Sequence, residues 1–344
     1  MQYLSEYRFD LPEDLIADVP LAERSASRML VVDREASAFS DSRFLQFPDL
    51  LREGDLLVLN NTRVFPARLF GKTRTGASVE LLLVREIKPF VWEALARPAK
   101  RLKPGVRIVL DEDLEAEVLE RLENGSVSIR FLTTHELDDQ LDRIGKTPLP
   151  PYIKRPKDSP DTDRERYQTV FAKTRGAIAA PTAGLHFTPE IFDEIKGRGV
   201  GIAEITLHVG YGTFEPVRSE NLSQHRVLPE RYSIDEQAAR MLNSAREGGG
   251  RIVAVGTTTT RTLEYQMQKH GVFTAETGLA DLTILPGYEL RAVDALLTNF
   301  HLPRSSLLIL VSTFAGHELI MRAYRHAVES EYRFYSYGDC MFIT

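Results

Sequence analysis

Between residues 64 and 132 apolar and polar positions alternate in short runs, at 64–71, 78–84, 90–97, 106–110, 114–122 and 126–132. The runs are separated by turn signals: Thr75-Gly76, Lys88-Pro89, Lys103-Pro104-Gly105 and Asn124-Gly125. Alternation with period two puts every second side chain on one face, so these runs predict strands. Asn124-Gly125 is the sharpest signal, because both residues tolerate the positive φ of a two-residue hairpin turn. By composition 114–122 suits a helix, but its hairpin context favours a strand. Short strands at roughly ten-residue spacing predict a small antiparallel barrel or sandwich.

Beyond Pro150 the period changes. Thr188-Pro189-Glu190 opens a helix to Gly197, with a threonine cap, proline at the first helical position, early acids and a late lysine. A strand is expected over 200–209, and Ser233-Ile-Asp-Glu236 reads as a capping box for a helix that ends at Gly248-Gly-Gly250. Residues 251–255 form another apolar strand, 262–270 a helix, 307–311 and 317–330 two more helices, and 333–343 a closing strand-like alternation. Alternating strands and helices predict an α/β layer structure with parallel pairing. The expected organisation is an α/β domain of residues 1–63 and 150–344, with an all-β domain of residues 64–149 inserted near its start.

Composition adds exclusions. At 344 residues the chain is one large or two ordinary domains, taking about 150 residues per domain. The 43% hydrophobic and 27% charged residues match an ordinary globular protein. No apolar run approaches the ~18 residues of a membrane span, and the N-terminus lacks the basic and apolar regions of a signal peptide. A single cysteine, Cys340, rules out an internal disulfide and a cysteine-based metal cluster. A cytoplasmic location without membrane contact is expected. The formal charge of −6 argues against a uniformly basic nucleic-acid-binding surface, and leaves that role to local patches.

The candidate chemistry sits where apolar runs end in glycine. After 251–255 the chain reads Gly256-Thr-Thr-Thr-Thr-Arg261. Threonine is stiff and a middling helix former, so four in a row have little local advantage. A strand end turning into a helix presents free amides to a ligand; Gly256 permits close approach, Thr257, Thr258, Thr259 and Thr260 add hydroxyls, and Arg261 adds a cation suited to a carboxylate or phosphate. Plain capping of the helix is the competing explanation. The stretch is not a P-loop, since no Gly-Lys-Ser/Thr follows. Similar corners are Ala180-Pro-Thr-Ala-Gly-Leu-His-Phe-Thr188, 206–216 with its Gly210-x-Gly212 turn, Leu297-Thr-Asn-Phe-His-Leu-Pro303 and Tyr335-Ser-Tyr-Gly-Asp339. Histidines recur in or near them, at His186, His208, His301 and His317. Imidazole titrates near neutrality and can move protons. No His-x-x-x-His pair or matching carboxylate spacing supports a metal, and none is expected.

Taken together, Phe9-Asp-Leu-Pro-Glu-Asp-Leu-Ile-Ala17, Asp55-Leu-Leu-Val-Leu-Asn-Asn-Thr-Arg-Val64 and these corners, up to Tyr332-Arg-Phe-Tyr-Ser-Tyr-Gly-Asp339, resemble the S-adenosylmethionine:tRNA ribosyltransferase-isomerases of queuosine biosynthesis. The likeness runs nearly from end to end. Tyr211 departs from the alanine or leucine usual between the two glycines, and Thr259-Thr260 from a common serine-valine. The resemblance implies an α/β main domain with a barrel-like core and a small inserted all-β antiparallel barrel. It also implies that the ribosyl part of S-adenosylmethionine is isomerised and attached to 7-aminomethyl-7-deazaguanine at the tRNA wobble position, giving epoxyqueuosine-tRNA, adenine and methionine. S-adenosylmethionine is then the ribosyl donor, tRNA the partner, and a monomer or weak homodimer the expected state.

On that reading His186 or His208 is the acid or base, with Asp281 or Asp339 orienting one of them. Thr182, Gly210, Gly212, Gly256, Thr257 to Thr260, Arg261, Asn299 and His301 are expected to line the donor site. Arg63 and Arg68, then Arg97, Lys100, Arg101 and Lys103, then Lys154, Arg155 and Lys157 are candidates for phosphate contacts. Two other classes stay open on the residues alone. A catalytically inert tRNA-binding protein would depend on Lys100 and Arg101 but not on the histidines. An enzyme acting on a free nucleoside would turn over without RNA.

Overall fold

The structure, a computed structural model, describes residues 2–156, 161–210 and 217–344. In chain order the strands are β1 (Arg28–Asp33), β2 (Ala38–Arg43), β3 (Leu56–Asn60), β4 (Thr62–Val64), β5 (Arg68–Thr73), β6 (Ser78–Lys88), β7 (Val91–Arg97), β8 (Arg107–Asp111), β9 (Leu114–Arg121) and β10 (Val127–Leu132). They continue as β11 (Thr174–Ala177), β12 (Gly201–His208), β13 (Glu230–Ile234), β14 (Ile252–Val255), β15 (Glu276–Ala280), β16 (Ala295–Asn299) and β17 (Cys340–Ile343). The helices are α1 (Leu137–Ile144), α2 (Asp163–Arg166), α3 (Pro189–Gly197), α4 (Glu236–Glu247), α5 (Thr257–His270), α6 (Ser306–Ala315) and α7 (His317–Glu329). No single described helix is long and apolar enough to cross a membrane.

The expected α/β domain with an inserted antiparallel barrel is what forms. Its main sheet has the order β15-β13-β12-β3-β14-β16-β17-β1-β2. Strands β12, β3, β14 and β16 are parallel, β17 runs antiparallel to β16, and β1 is parallel to β17. The central strands β3, β14, β16 and β17 are buried throughout. Their near-continuous apolar sequences follow from having both faces covered. Alternate residues serve different cores: Leu56, Val58, Ile252 and Ala254 pack in one with residues of α4 to α7, while Leu57, Leu59, Val253 and Val255 pack in the other with residues of α3 and the short turn Phe44–Leu50.

Strands β10-β7-β6-β5-β8-β9 close into a barrel around its own core, including Leu69, Leu81, Leu83, Ala94, Ala116, Val118 and Ile129. Closure leaves no unpaired edge. Gly71 is required there, because a Cβ would come within 2.5 Å of the Val109 carbonyl on the neighbouring strand.

Several local expectations change. The run at 64–71 is broken at Pro66: β4 pairs with β11, and only β5 enters the barrel. The segment 114–122 is, as its hairpin context predicts, a strand, β9. Helix α3 starts as expected, with Thr188 Oγ1 accepting from the Ile191 amide. The capping box at Ser233 does not form: Ser233 lies in β13, and Asp235 caps α4 by accepting from the Ala238 amide at 2.7 Å. Of 333–343 only β17 is a strand. The helix expected at 262–270 begins at Thr257, so the four threonines are its first turn.

Helix α5 is tied to the approach to β16 by Glu264, which is fully buried. Its carboxylate accepts from the amides of Arg291 (2.9 Å), Ala292 (2.9 Å) and Val293 (3.1 Å) and from the Tyr288 hydroxyl (3.2 Å). Glu264→Gln turns one acceptor into a donor facing amide donors. It should lower unfolding stability by about 1–3 kcal/mol in urea denaturation, and an unchanged midpoint would show that the carboxylate adds nothing.

Candidate active site

Parallel strands bring their carboxyl ends to one edge of the sheet, and in α/β folds ligands collect at such an edge. Here β12 ends at His208, β3 at Asn60, β14 just before Gly256 and β16 at Asn299. Because β17 and β1 run the opposite way, their amino ends arrive at the same edge and bring Ser336, Asp339 and Ser27 with them. Residues scattered from 27 to 339 thus become neighbours.

Two asparagines close off the strand ends. Asn60 Oδ1 accepts from the amides of Thr62 (3.1 Å) and Leu207 (2.9 Å), and its Nδ2 donates to the Leu207 carbonyl (3.0 Å). Asn299 Nδ2 donates to the carbonyls of Tyr335 (2.8 Å) and Ser336 (3.3 Å), which leaves Oδ1 facing His186 Nε2 at 3.2 Å.

A cleft of about 540 Å³ opens beside Asn299. Thr182, Gly256, Thr257, Thr258, Asn299 and His301 of the expected donor site line it, together with Val209, Thr298, Phe300, Tyr335 and Ser336. Gly256 has φ +94°, a conformation that costs other residues strain, and it aims the start of α5 at the cleft without a side-chain cap. The first amides of α5 have no partner inside the helix, so this corner attracts negative charge and oxygen acceptors.

The rest of the threonine corner departs from expectation. Thr259 Oγ1 donates back to the Val255 carbonyl (2.8 Å) and Thr260 Oγ1 to the Gly256 carbonyl (3.2 Å), as helical geometry dictates for hydroxyls facing the preceding turn. Arg261 is buried and spent. Its Nη1 meets Glu230 at 2.9 Å, its Nε donates to the Leu282 carbonyl and its Nη2 to the Leu228 carbonyl. It lines a separate cavity with His225 and Ser306. Arg261 is therefore a strut between α5 and β13, not a holder of carboxylate in the cleft.

The two imidazoles differ. His186 ends the turn Thr182–His186 and is buried, with Nδ1 2.9 Å from Ser27 Oγ and Nε2 on Asn299. Since Asn299 offers an acceptor, the proton sits on Nε2, and Nδ1 accepts from Ser27. Burial pushes its pKa down to about 4, opposed by the Asn299 bond and aided by nearby Arg24. His186 is neutral and fully engaged, and it ties β1 to β16. His208 is half-buried and holds Thr62 Oγ1 through Nδ1 at 3.0 Å. Its ring lies over Gly176, where a Cβ would come within 2.6 Å. Burial and Arg231 lower its pKa, so it too is neutral near pH 7. Its β12 lies two strands from β14, about 10 Å at the usual spacing. His301 in the cleft wall contacts Thr298 Oγ1 at 3.0 Å, and burial lowers its pKa to about 3.

Neither aspartate orients a histidine. Asp339 accepts from the amides of Arg28 (2.9 Å) and Arg333 (2.8 Å), which joins the starts of β1 and β17. Asp281 is exposed just past the edge strand β15. Gly210 follows β12 outside the cleft lining, and Gly212 lies outside the described residues. Among the basic candidates, Arg68 donates to the Leu149 carbonyl and faces Glu80, and Arg155 makes a two-pronged contact with Asp163 at 2.8 and 3.2 Å. Both are structural. Arg63, Arg97, Lys100, Lys103 and Lys154 are exposed; the Arg101 side chain and Lys157 lie outside the described residues. No group of three or more histidine, cysteine, aspartate or glutamate side chains among the described residues is arranged to hold a metal.

The sequence marked the segments holding Asn60, Thr62, Thr298 and Ser336 but gave none of the four a role in the site, and it gave no sign of Ser27. A common signal covers three of them, Asn60, Thr62 and Thr298: Asn60-Asn61-Thr62 and Thr298-Asn299 each follow an apolar run, as Gly256-Thr257 does.

The sequence pattern of one family, described as queuosine biosynthesis protein, matches residues 4–343. A protein of Natranaerobius thermophilus named S-adenosylmethionine:tRNA ribosyltransferase-isomerase is 49% identical over 343 residues, covering 99% of each chain. One of the same name from Staphylococcus saprophyticus is also 49% identical, over 342 residues and 99% of each chain. The crystal structure of an S-adenosylmethionine tRNA ribosyltransferase from Thermotoga maritima is similar at 38% identity and a TM-score of 0.57, covering 98% of this chain and 100% of that one.

The buried neutral His186 makes a pH prediction. It titrates at about 4 when folded, against about 6.5 for an unfolded histidine. Between those values only the unfolded chain takes the proton, so its stability contribution is complete above pH 6.5 and is lost as pH falls toward 4. Unfolding free energies from urea titrations between pH 7 and 4.5 should fall more steeply for the wild type than for His186→Gln, by up to about 1.4 kcal/mol per pH unit. Parallel curves would mean that His186 is not buried neutral.

Proposed function

The chain belongs to the queuosine biosynthesis protein family, and from that membership we propose that it is an S-adenosylmethionine:tRNA ribosyltransferase-isomerase. It transfers and isomerises the ribosyl part of S-adenosylmethionine onto 7-aminomethyl-7-deazaguanine in the wobble position of tRNA. Epoxyqueuosine-tRNA forms, and adenine and methionine leave. The observation that carries this reading is the cleft at the carboxyl ends of β14 and β16, where the uncapped start of α5 faces Asn299 and His301.

The residues divide the work by chemistry. The free amides and hydroxyls of Thr257 and Thr258 receive oxygens of the donor, its methionine carboxylate or its ribose hydroxyls. The sulfonium acidifies the adjacent ribose carbon, so a neutral base must take a proton there. His208 suits this step better than His186, because it is neutral near pH 7 and only its Nδ1 is held, by Thr62. His186 acts as a positioning residue, fixing Asn299 in the cleft wall through Nε2. A proton must also reach departing adenine, and methionine leaves as the epoxide closes. The target base comes from an anticodon loop, where an unpaired base can be splayed out at low cost. Exposed Arg97, Lys100 and Lys103 on and beside the barrel supply cations for the phosphates around it.

Incubation with ribose-labelled S-adenosylmethionine and tRNA carrying the deazaguanine precursor should move label into tRNA nucleosides and release adenine. Label transfer that needs no RNA would replace this function with an enzyme of free nucleosides. His208→Ala should slow single-turnover transfer by at least about 100-fold while donor binding stays within a few-fold, and near-full activity would remove His208 from the chemistry.

A further inference from the structure

Behind Asn299 lies a second, smaller cleft of about 290 Å³. Ser336 lines both clefts, and His186, bonded to Asn299, lines the second, so the two stand back to back. Two arginines face this second cleft from different parts of the chain: Arg24, in the turn Arg24–Ala26, and Arg166, at the end of α2. Both are half-buried, and neither forms an ion pair among the described residues. Instead, backbone carbonyls hold them. Arg24 Nη1 donates to the Leu185 carbonyl (3.2 Å) and Nη2 to that of Glu165 (2.8 Å). Arg166 donates through its two terminal nitrogens to the carbonyls of Ala22 and Leu21.

Each guanidinium spends two of about five N–H donors in this way and keeps its whole positive charge. Such an arrangement fixes the forks in place without neutralising them. Burial lowers Arg24's pKa, and the Arg166 guanidinium on the same cleft lowers it further; two unneutralised guanidinium groups are costly to hold side by side unless an anion joins them. Glu23 lines the same cleft but is exposed and pairs with neither.

We propose that Arg24 and Arg166 form an oxyanion site for the substrate complex, taking a phosphate of the RNA backbone close to the base being modified. The proposal rests on the tRNA-modifying reading above. Phosphate suits it because the chain as a whole is acidic and two of the expected phosphate contacts, Arg68 and Arg155, are consumed inside the fold. Two pre-placed arginine forks then supply affinity that surface charge does not. An anion here would also screen His186 from Arg24, one cause of its lowered pKa, and so link substrate arrival to the residue that positions Asn299.

The test compares the wild type with Arg24→Gln, Arg166→Gln, the double glutamine variant and the double lysine variant. Binding of full-length tRNA is measured across salt concentrations, binding of S-adenosylmethionine by calorimetry, and thermal unfolding with inorganic phosphate against chloride at equal ionic strength. The proposal expects tRNA affinity to fall about 5- to 10-fold per glutamine substitution, with the salt slope reduced by roughly 0.7 per lost contact. It expects unchanged S-adenosylmethionine affinity, and a salt slope restored by the lysines. Loss of S-adenosylmethionine affinity with tRNA binding intact keeps the oxyanion site but gives it to the methionine carboxylate. If folded variants bind both as the wild type does, the site does not exist. Should the glutamine variants fail to fold, the wild type and the lysine pair decide: phosphate must stabilise the wild type and do so less for the lysine pair, and equal stabilisation overturns the proposal. A wild type that binds neither substrate refutes the functional reading instead.

Discussion

The parallel run of β12, β3, β14 and β16 brings four carboxyl ends to one edge of a sheet whose interior is sealed on both faces. Strand ends of this kind carry backbone groups that have run out of ladder partners, and something polar must meet them. Asn60 and Asn299 do so from within the chain, each with its amide divided between two segments. At β14 no side chain takes that part. Gly256 turns the backbone and α5 starts uncapped, so the unmet amides face the cleft. The cleft opens at the place where the sheet's own hydrogen bonding is left incomplete.

Around that edge, charges have been separated by use. Arg261, Arg251 and Arg155 are locked to Glu230, Asp55 and Asp163 and act as ties between elements. Breaking such a buried or half-buried pair leaves an uncompensated charge, which explains how firmly these residues are held. Arg24 and Arg166 are held by carbonyls alone, which cost them no charge. The same side-chain chemistry therefore serves as strut in one place and as open cation in another, and the partner's charge makes the difference.

The histidines show the same division. Desolvation keeps His186, His208 and His301 neutral near pH 7. His186 uses both ring nitrogens to brace the junction of β1 and β16, whereas only Nδ1 of His208 is held, at the end of β12. Asp339 and Asp281 were reasonable partners for them by residue type. Asp339 instead collects the amides of Arg28, at the start of β1, and of Arg333, in the segment leading to β17, because the two parallel strands start side by side and one carboxylate can serve both segments.

The sequence by itself determined the strand-rich block around residues 64–132, the cap and start of α3, the buried central strands and the family, because period, turn chemistry and motif are local properties of neighbouring residues. It also marked Gly256, Thr257, Thr258, Asn299 and His301, since polar residues beside glycine at the end of an apolar run leave a local trace. Which threonines face the cleft was decided by the helical phase of α5, which turns Thr259 and Thr260 back on their own carbonyls. Only the tertiary structure could spend Arg261 on Glu230, bring Ser27 across to His186, or set Arg24 beside Arg166. Those pairings span 31 to 159 positions of sequence, and side chains so far apart leave no mark on one another until the sheet order brings their strands together.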